Sequence, residues 1–179
     1  MIITLAGLPG AGKTTVAKLL SQKLNVPSFS MGDLRGRMAQ ERGLTIDEFN
    51  KLGETEDFTD KDVDAYQTKL ASESKNFIID GWLSWHFIPQ SFKVFLDVDA
   101  REGAKRIFES SKRNERPDEK KYASVEETQQ TITHRVTSTA TRYQKYYQVD
   151  FLDRSHYDLV LDTTHLMPEE VVQMILDHF

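Results

Sequence analysis

Gly7-Leu8-Pro9-Gly10-Ala11-Gly12-Lys13-Thr14 is a glycine-rich segment between two apolar segments of different periodicity, and the three together indicate the fold. Residues 2–6, just before it, form a short apolar run that is typical of a buried strand. Residues 14–24, just after it, carry apolar side chains at helical spacing. A strand, a glycine-rich turn and a helix in this order predict the opening of a βαβ unit.

The glycine-rich stretch also has the spacing G-x-x-x-x-G-K-[ST] of a phosphate-binding loop. Its glycines let backbone N–H groups turn toward an anion, and the N-terminus of the following helix adds partial positive charge there. A chance match is the alternative, but the strand before the loop and the helix after it argue against that interpretation. We therefore predict that the loop binds ATP together with Mg²⁺.

The side chains of the loop have predicted roles of their own. Lys13 would reach the β- and γ-phosphates of ATP, and the hydroxyl of Thr14 would bind Mg²⁺. The residues predicted to bind ATP are Gly7, Leu8, Pro9, Gly10, Ala11, Gly12, Lys13, Thr14, Thr15 and, from a later helix, Arg106.

Further apolar runs predict the other strands, at residues 26–30, 76–81, 93–98 and 157–162. Because helical patterns separate these runs, we expect a parallel sheet covered on both faces. The expected fold class is α/β, a three-layer P-loop NTPase fold with a five-stranded parallel sheet. In such folds ligands bind outside the C-terminal ends of the strands, where both Gly7 and Asp80-Gly81 fall.

Composition excludes several classes of protein. The chain has 179 residues and no cysteine, which rules out disulfides and thiolate metal sites. Its net charge of −5 argues against broad binding of nucleic acid. No apolar stretch approaches the ~20 residues of a membrane span, and the N-terminus has no basic region of a signal peptide. We expect a cytoplasmic monomer that acts on small-molecule nucleotides, without nucleic-acid or membrane partners.

Acidic residues lie where strands are expected to end. Asp80 ends a buried strand and is predicted to hold Mg²⁺ or its waters. Asp33 follows the second strand, where it could share the ion, orient an acceptor or simply cap a helix. Asp97 and Asp99, near another strand end, are predicted to form turns or caps. The predicted metal-binding set is Thr14, Asp33 and Asp80.

Phosphoryl transfer also needs cations, because charge spreads over the oxygens of the transferring group. Arg135 and Arg142 are seven residues apart on a long helix expected to end at Tyr147, so they share one face. With few acids expected opposite them, they suit a phosphate clamp. The alternative is the solvated face of a surface helix, where most helical arginines lie. Arg106 and Arg113 flank a charged loop expected at residues 110–123 and would fit a lid over ATP. The remaining candidate arginines are Arg35, Arg37, Arg42 and Arg116.

With these motifs the chain resembles the nucleoside-monophosphate kinases, and more closely the archaeal-type cytidylate kinases. The matching segments are residues 38–45 (MAQERGLT), Asp60-x-x-x-Asp64-x-x-Gln67, Arg142-Tyr143 with Tyr147-x-Val149-Asp150, and residues 157–163 (YDLVLDT). The resemblance covers nearly the whole chain. It implies ATP-dependent phosphorylation of CMP or dCMP, with no general base needed because the acceptor phosphate is already an anion.

The resemblance further implies roles for individual residues. The catalytic residues would be Lys13, Arg135 and Arg142. The acceptor-binding residues would be Asp33, Arg37, Asp64, Gln67, Gly81 and Trp82, with Asp64 and Gln67 near the base. A single domain over residues 1–179 would comprise a core (1–31, 75–105 and 148–179), a helical acceptor-binding insertion (32–74), and a lid with a long helix (106–147).

Two positions depart from the family pattern, both on the acceptor side. The family usually has an arginine four residues after the glycine of Ser-x-Gly-Asp, whereas this chain has Gly36, and Arg37 could take over. The family also has Gly-Arg after the acid of the third motif, whereas this chain has Gly81-Trp82. Trp82 is expected to pack in the core or to stack on a base. Binding of the donor is therefore indicated more firmly than the identity of the acceptor.

Two other functions remain open at this point. A P-loop kinase for another small acceptor, such as a nucleoside or metabolite hydroxyl, would use Asp33 as a base and would not need the missing arginines. A regulatory protein that binds ATP without transfer is the other, and the intact Lys13, Thr14 and Asp80 argue against it.

Overall fold

The computed structural model describes residues 1–113 and 121–179. A five-stranded parallel sheet in the order β2-β3-β1-β4-β5 forms its centre, which confirms the predicted fold class. The strands are β1 (Ile2–Gly7), β2 (Ser28–Ser30), β3 (Phe77–Asp80), β4 (Phe92–Asp97) and β5 (Leu159–Asp162).

Helices cover both faces of this sheet. They are α1 (Lys13–Leu24), α2 (Met31–Gln40), α3 (Ile46–Leu52), α4 (Phe58–Glu73), α5 (Ser84–Phe87), α6 (Ala100–Lys112), α7 (Val125–Tyr147) and α8 (Pro168–His178). No helix in the described ranges is long and apolar enough to cross a membrane.

Three buried clusters hold these layers together. α1 and α8 pack on one face, where Leu20 and Ile175 join Ile3 and Leu5 of β1. α2, α3 and α4 pack around the β2–β3 side of the sheet in a second cluster. In the third, residues of α7 pack with Phe95 of β4 and with Phe151, which follows α7. β1 lies at the centre of the sheet and is buried along its whole length, as its apolar sequence predicts.

Side-chain hydrogen bonds cap the N-termini of α2, α3 and α6. The oxygen of Ser30 accepts from the backbone N–H of Asp33, so Ser30 is the N-cap of α2. The suggestion that Asp33 itself caps this helix is therefore wrong, because Asp33 lies within its first turn. A capping box of Thr45 and Glu48 begins α3, and Asp99 caps α6 as expected.

Several boundaries differ from the sequence prediction. β2 begins at Ser28 rather than at residue 26, since Pro27 has no N–H to give to the ladder and contributes only its carbonyl to Ile78. α6 continues to Lys112, where Ser110 and Ser111 bond back to carbonyls of the preceding turn. The short helix α5 was not predicted. Arg116, in the loop expected at 110–123, lies outside the described residues.

Two glycines bring the phosphate loop and α6 into backbone contact. A Cβ built on Gly10 would lie 2.5 Å from the Cα of Gly103, and one built on Gly103 would lie 2.8 Å from the carbonyl oxygen of Pro9. Gly103 lies inside α6, where glycine is otherwise unfavourable by about 1 kcal/mol relative to alanine. Its position is therefore explained by the close approach of the loop.

Candidate active site

The C-terminal ends of β1, β2 and β3 meet at one edge of the sheet. Strand register pairs Leu5 of β1 with Asp80, and Asp80 with Ser30 of β2. This register brings the predicted acid beside the start of the phosphate loop, as expected from parallel topology.

The phosphate loop is held by its neighbours in the sheet. The N–H of Leu8 donates to the carbonyl of Leu96 in β4 (3.1 Å), and the N–H of Ala11 donates to the carbonyl of Leu8 (3.2 Å). The hydroxyl of Thr163, just after β5, lies between the carbonyl oxygens of Asp97 (2.8 Å) and Ala11 (3.1 Å) and shares its hydrogen between them. Gly12 has φ +88°, which favours glycine at this point. The loop is thereby shaped by the protein itself before any nucleotide binds.

Lys13 is fixed at the mouth of this loop. Its ammonium donates to the carbonyls of Gly7 (2.8 Å) and Leu8 (2.9 Å). Thr14 is partly buried and Thr15 exposed in the first turn of α1, which follows the loop directly. The backbone therefore sets the position of the charge predicted to contact phosphates.

Asp80 is a buried carboxylate with one unsatisfied oxygen. It is 4% exposed; Oδ1 accepts from the hydroxyl of Ser30 (3.0 Å), and Oδ2 has no hydrogen-bond partner. Burial raises the pKa of Asp80, while Lys13 and the hydroxyls of Thr14 and Ser30 act in the opposite direction. An orphaned buried carboxylate oxygen beside a threonine hydroxyl fits a hard cation such as Mg²⁺.

Arg106 connects the loop to the turn after β5. Its guanidinium donates to the carbonyls of Gly10 (3.3 Å), Thr163 (3.0 Å) and Thr164 (2.9 Å), and it pairs with Glu102 (3.1 Å). The predicted ATP-binding residue thus lies against the phosphate loop, although its role toward ATP stays a prediction.

Asp64 and Gln67, predicted to lie near the acceptor base, belong to one hydrogen-bonded chain. The hydroxyl of Ser84 donates to Gln67 Oε1 (2.6 Å), and Gln67 Nε2 is 3.5 Å from Asp64 Oδ1. The hydroxyl of Tyr147 donates to Asp64 Oδ2. Burial raises the pKa of Asp64 to about 6, against the lowering effect of the Tyr147 hydrogen bond. Ser84 fixes the orientation of the Gln67 amide, with its NH₂ group toward Asp64.

Arg142 lies in a buried cluster with Asp60 and Arg35. Arg142 Nε donates to Asp60 Oδ2 (3.0 Å) and Arg35 Nη1 donates to Asp60 Oδ1 (2.9 Å). Arg142 is 2% exposed and Asp60 is 3% exposed. Desolvation lowers the pKa of Arg35, and its Nη2 has no hydrogen-bond partner.

Arg135 also faces an acid, since it pairs with Asp47 of α3 at 3.1 Å. The expectation that few acids oppose Arg135 and Arg142 is therefore wrong. The one-face spacing was right, but α3 and α4 fold against that face and bring carboxylates that sequence spacing cannot reveal. The catalytic roles of these two arginines stay predictions.

The remaining predicted acceptor residues lie around the ends of β2 and β3. Asp33 and Arg37 are exposed, one helical turn apart on α2, and the negative charge of Asp33 acts on Asp80. Gly81 is buried, and a Cβ there would lie 2.3 Å from the hydroxyl of Ser84. The indole N–H of Trp82 donates to the carbonyl of Gly7 (2.7 Å), and its ring stacks on Phe151.

Sequence reasoning missed several residues of this site. Gly103 had a signal, since a glycine within a helical pattern often marks a packing contact. Ser84 and Thr163 had none, because each acts through a hydrogen bond between distant segments. Trp85 is 8% exposed and packs in the third cluster.

The phosphate loop on this sheet, with a buried acid at the end of the neighbouring strand, defines a P-loop phosphotransferase. The model of the cytidylate kinase-like family matches residues 2–165. The chain belongs to that family and is accordingly a nucleoside-monophosphate kinase, as its sequence resemblance predicted.

Two relatives that are named as cytidylate kinases agree with this assignment. The chain is 35% identical to a cytidylate kinase of Methanobrevibacter smithii, over 98% of this chain and 96% of the relative. It is 34% identical to a cytidylate kinase of Methanosphaera stadtmanae, over 98% and 95%. An S-adenosylmethionine-dependent nucleotide dehydratase of Lacinutrix mariniflava is 33% identical over 99% of this chain but only 35% of its own length.

Solved structures support the fold. A shikimate kinase from Aquifex aeolicus has a TM-score of 0.58 and 25% identity, covering 99% of this chain and 95% of its own. An uncharacterized protein from Eubacterium ventriosum has a TM-score of 0.70 at 18% identity, covering 99% and 97%.

Proposed function

We propose that the protein transfers the γ-phosphoryl group of ATP, with Mg²⁺, to CMP or dCMP. The observation that supports cytosine as the base of the acceptor is the hydrogen-bonded pair formed by Asp64 and Gln67. The amide oxygen of Gln67 is occupied by Ser84, so the pair offers a carboxylate acceptor beside an NH₂ donor.

This pair is complementary to the edge of cytosine. Cytosine carries an amino group that donates, next to a ring nitrogen that accepts, and uracil reverses both. Asp64 would accept from the amino group while Gln67 donates to the ring nitrogen. Adenine presents the same pattern as cytosine, so the preference for CMP over AMP rests on the family and on the names of the relatives.

Residues of this chain also fit Mg²⁺ on the donor side. The free Oδ2 of Asp80 and the hydroxyl of Thr14 would hold the ion directly or through its waters, with Asp33 contributing from α2. The described residues contain no cluster of three acids or histidines that could cage a metal, which suits Mg²⁺ bound largely by water and phosphate. The ion would neutralise charge on the β- and γ-phosphates.

In the transfer, an oxygen of the acceptor phosphate forms a bond to the γ-phosphorus while the bond to the bridging oxygen breaks, leaving ADP. Lys13 stabilises charge on the transferring group, and Arg135 and Arg142 act as further cations. Arg37, exposed on the same side of α2 as Asp33, is the cation placed to hold the acceptor phosphate in the absence of an arginine at position 36.

We assign the binding of the acceptor to residues 32–74, which contain α2, α3 and α4, and the covering of ATP to residues 106–147. The first segment supplies Asp64, Gln67 and Arg37. The second begins with Arg106, which lies against the phosphate loop. Closing of these segments over the core would exclude water from the reacting phosphates.

The test is production of ADP from ATP–Mg²⁺ with CMP, dCMP, UMP, AMP, GMP and dTMP, beside a panel of nucleosides. We expect turnover on CMP or dCMP, with kcat/KM at least about tenfold above that on UMP, since one mispaired hydrogen-bonding edge corresponds to more than about 1.4 kcal/mol.

Turnover on nucleosides but not on monophosphates would instead favour a kinase for a hydroxyl acceptor. Binding of ATP without turnover on any acceptor would favour the regulatory alternative. Either result would overturn the proposal.

A further inference from the structure

Trp82 stands where the family pattern has an arginine on the acceptor side, yet its polar atom is directed at the donor side. Its indole N–H donates to the carbonyl oxygen of Gly7 at 2.7 Å. The same oxygen accepts from the ammonium of Lys13 at 2.8 Å. A carbonyl oxygen has two lone pairs, so these two donors account for both.

The peptide group between Gly7 and Leu8 is thereby held from both sides of the central strand. Its N–H donates to Leu96 in β4, and its carbonyl accepts from Trp82, which follows β3. Gly7 has φ +140°, and a Cβ there would lie 2.1 Å from the oxygen of Leu96. Because glycine leaves the backbone free to pivot, the direction of this carbonyl depends on its partners.

The indole ring is itself well anchored. It stacks on Phe151 with ring centroids 5.0 Å apart and an interplanar angle of 24°. Phe151 is fully buried and makes an edge contact with Tyr143 of α7. The position of the N–H is therefore set by the core and not by the loop that it contacts.

We propose that Trp82 is a positioning residue for Lys13, acting through the Gly7 carbonyl. The indole fixes the direction of that carbonyl, and the carbonyls of Gly7 and Leu8 together fix the ammonium. The position usually held by an arginine in this family thus serves the donor phosphates in this chain. The inference rests on the proposed function, because it takes ATP as the donor.

The test is a double-mutant cycle on ATP–Mg²⁺ binding, measured by titration calorimetry. The proteins are the unsubstituted chain, Trp82→Phe, Lys13→Ala and the double variant. In the presence of Lys13, Trp82→Phe should raise the Kd about tenfold, equivalent to about 1.4 kcal/mol. In the Lys13→Ala protein the same change should alter the Kd less than about twofold, because there is no ammonium to position.

An equal loss in both backgrounds would mean that Trp82 only supports the shape of the loop, and it would overturn the inference while leaving the proposed function intact. Absence of ATP binding by the unsubstituted protein would overturn the proposed function itself.

A second variant removes the indole hydrogen bond without changing the ring. Benzothienylalanine incorporated at position 82 has sulfur in place of the N–H and keeps the stacking on Phe151. This variant should show the same tenfold loss of ATP affinity. It tests the hydrogen bond even if the Lys13→Ala protein binds ATP too weakly for its Kd to be determined. Affinity equal to that of the unsubstituted protein would contradict the inference.

Discussion

At the scale of single residues, the site combines two carboxylates whose environments differ. Asp80 is almost fully buried and has one oxygen without a partner. Asp64 is partly exposed and already accepts hydrogen bonds from Tyr147 and Gln67. Burial raises the pKa of both, so each is held in the site at some loss of stability in its ionised form.

Asp80→Asn should stabilise the ligand-free protein and inactivate it. Since the folded-state pKa is raised, the buried charge destabilises the fold above that pKa and the effect disappears as pH falls below the ordinary value. Removing the charge should raise the Tm by about 2–4 °C for each kcal/mol recovered, and should lower kcat by about 10²-fold or more. Thermal unfolding and ADP release measure the two effects.

Asp97→Asn is the control for this substitution. Asp97 also ends a strand, but it is partly exposed and pairs with Arg154 at 2.8 Å. It should neither raise the Tm nor abolish transfer. A lower Tm for Asp80→Asn than for the unsubstituted protein would contradict the assigned effect of burial.

Asp64 should make recognition of CMP sensitive to pH. Below its pKa of about 6 the carboxyl is protonated and no longer a full acceptor for an amino group. The KM for CMP should therefore rise as pH falls from 7.5 to 5.5, and Asp64→Asn should raise the KM at pH 7.5 about tenfold.

The acceptor phosphate also has an ionisation near pH 6, so the profile of one protein is insufficient. The difference between the pH profiles of the unsubstituted protein and Asp64→Asn isolates the carboxyl. Parallel profiles would exclude Asp64 from the recognition of the base.

At the scale of elements, one carboxylate joins three helices. Asp60 of α4 binds Arg35 of α2 and Arg142 of α7 through separate oxygens. Asn50 of α3 also contacts both arginines: its side chain accepts a hydrogen bond from Arg35, and its backbone carbonyl accepts one from Arg142. The helices α2, α3, α4 and α7 are thus connected through two buried arginines.

Asp60→Ala should destabilise the protein by about 3–5 kcal/mol, because it leaves two buried guanidinium groups without their carboxylate. Chemical denaturation at pH 7 measures the loss. Asp57→Ala is the matched control on the same helix, since Asp57 pairs with Lys61 at the exposed surface and should change nothing measurable. Similar decreases in the free energy of unfolding for both variants would show that the buried junction contributes no more to stability than an exposed ion pair.

The elements themselves were largely predictable from sequence, whereas their contacts were not. β1, β3 and β4 follow from apolar runs, and the box at α3 from a threonine followed three residues later by an acid. The partners of Arg135 and Arg142 come from α3 and α4, so no periodicity within α7 could reveal them. The hydrogen bond from Trp82 to Gly7 spans 75 residues and leaves no local pattern.

At the scale of the whole molecule, the two halves of the site are held in different ways. The donor loop is fixed by a backbone hydrogen bond to β4 and by the side-chain hydroxyl of Thr163 in the turn after β5. The acceptor side is fixed by side chains from α2, α3, α4 and α7. Binding of the donor should therefore stabilise a loop that is already formed, with little ordering of the chain.

ATP–Mg²⁺ at about 100 times its Kd should stabilise the fold by about 2.7 kcal/mol, which corresponds to a rise in Tm of about 5–10 °C for a chain of this size. Thermal unfolding with and without nucleotide measures the shift. EDTA should remove most of it, because Asp80 then faces the phosphates without a cation between them. Adenosine, which lacks phosphates, is the control and should produce little shift. A rise that EDTA leaves unchanged would contradict a role for the metal.

The backbone contact between Gly10 and Gly103 has a consequence for how this sequence can change over generations. The two residues are 93 positions apart in the chain, yet a Cβ on Gly10 would overlap the backbone of Gly103, and a Cβ on Gly103 would meet the carbonyl oxygen of Pro9, next to Gly10. Neither glycine can acquire a side chain while this approach is kept, and no second substitution can make room, since the nearest obstacle in each case is main chain. Both glycines should therefore be retained together in descendants of this sequence. The residues around the contact can vary, but the contact between the loop and α6 cannot accept a side chain at either position.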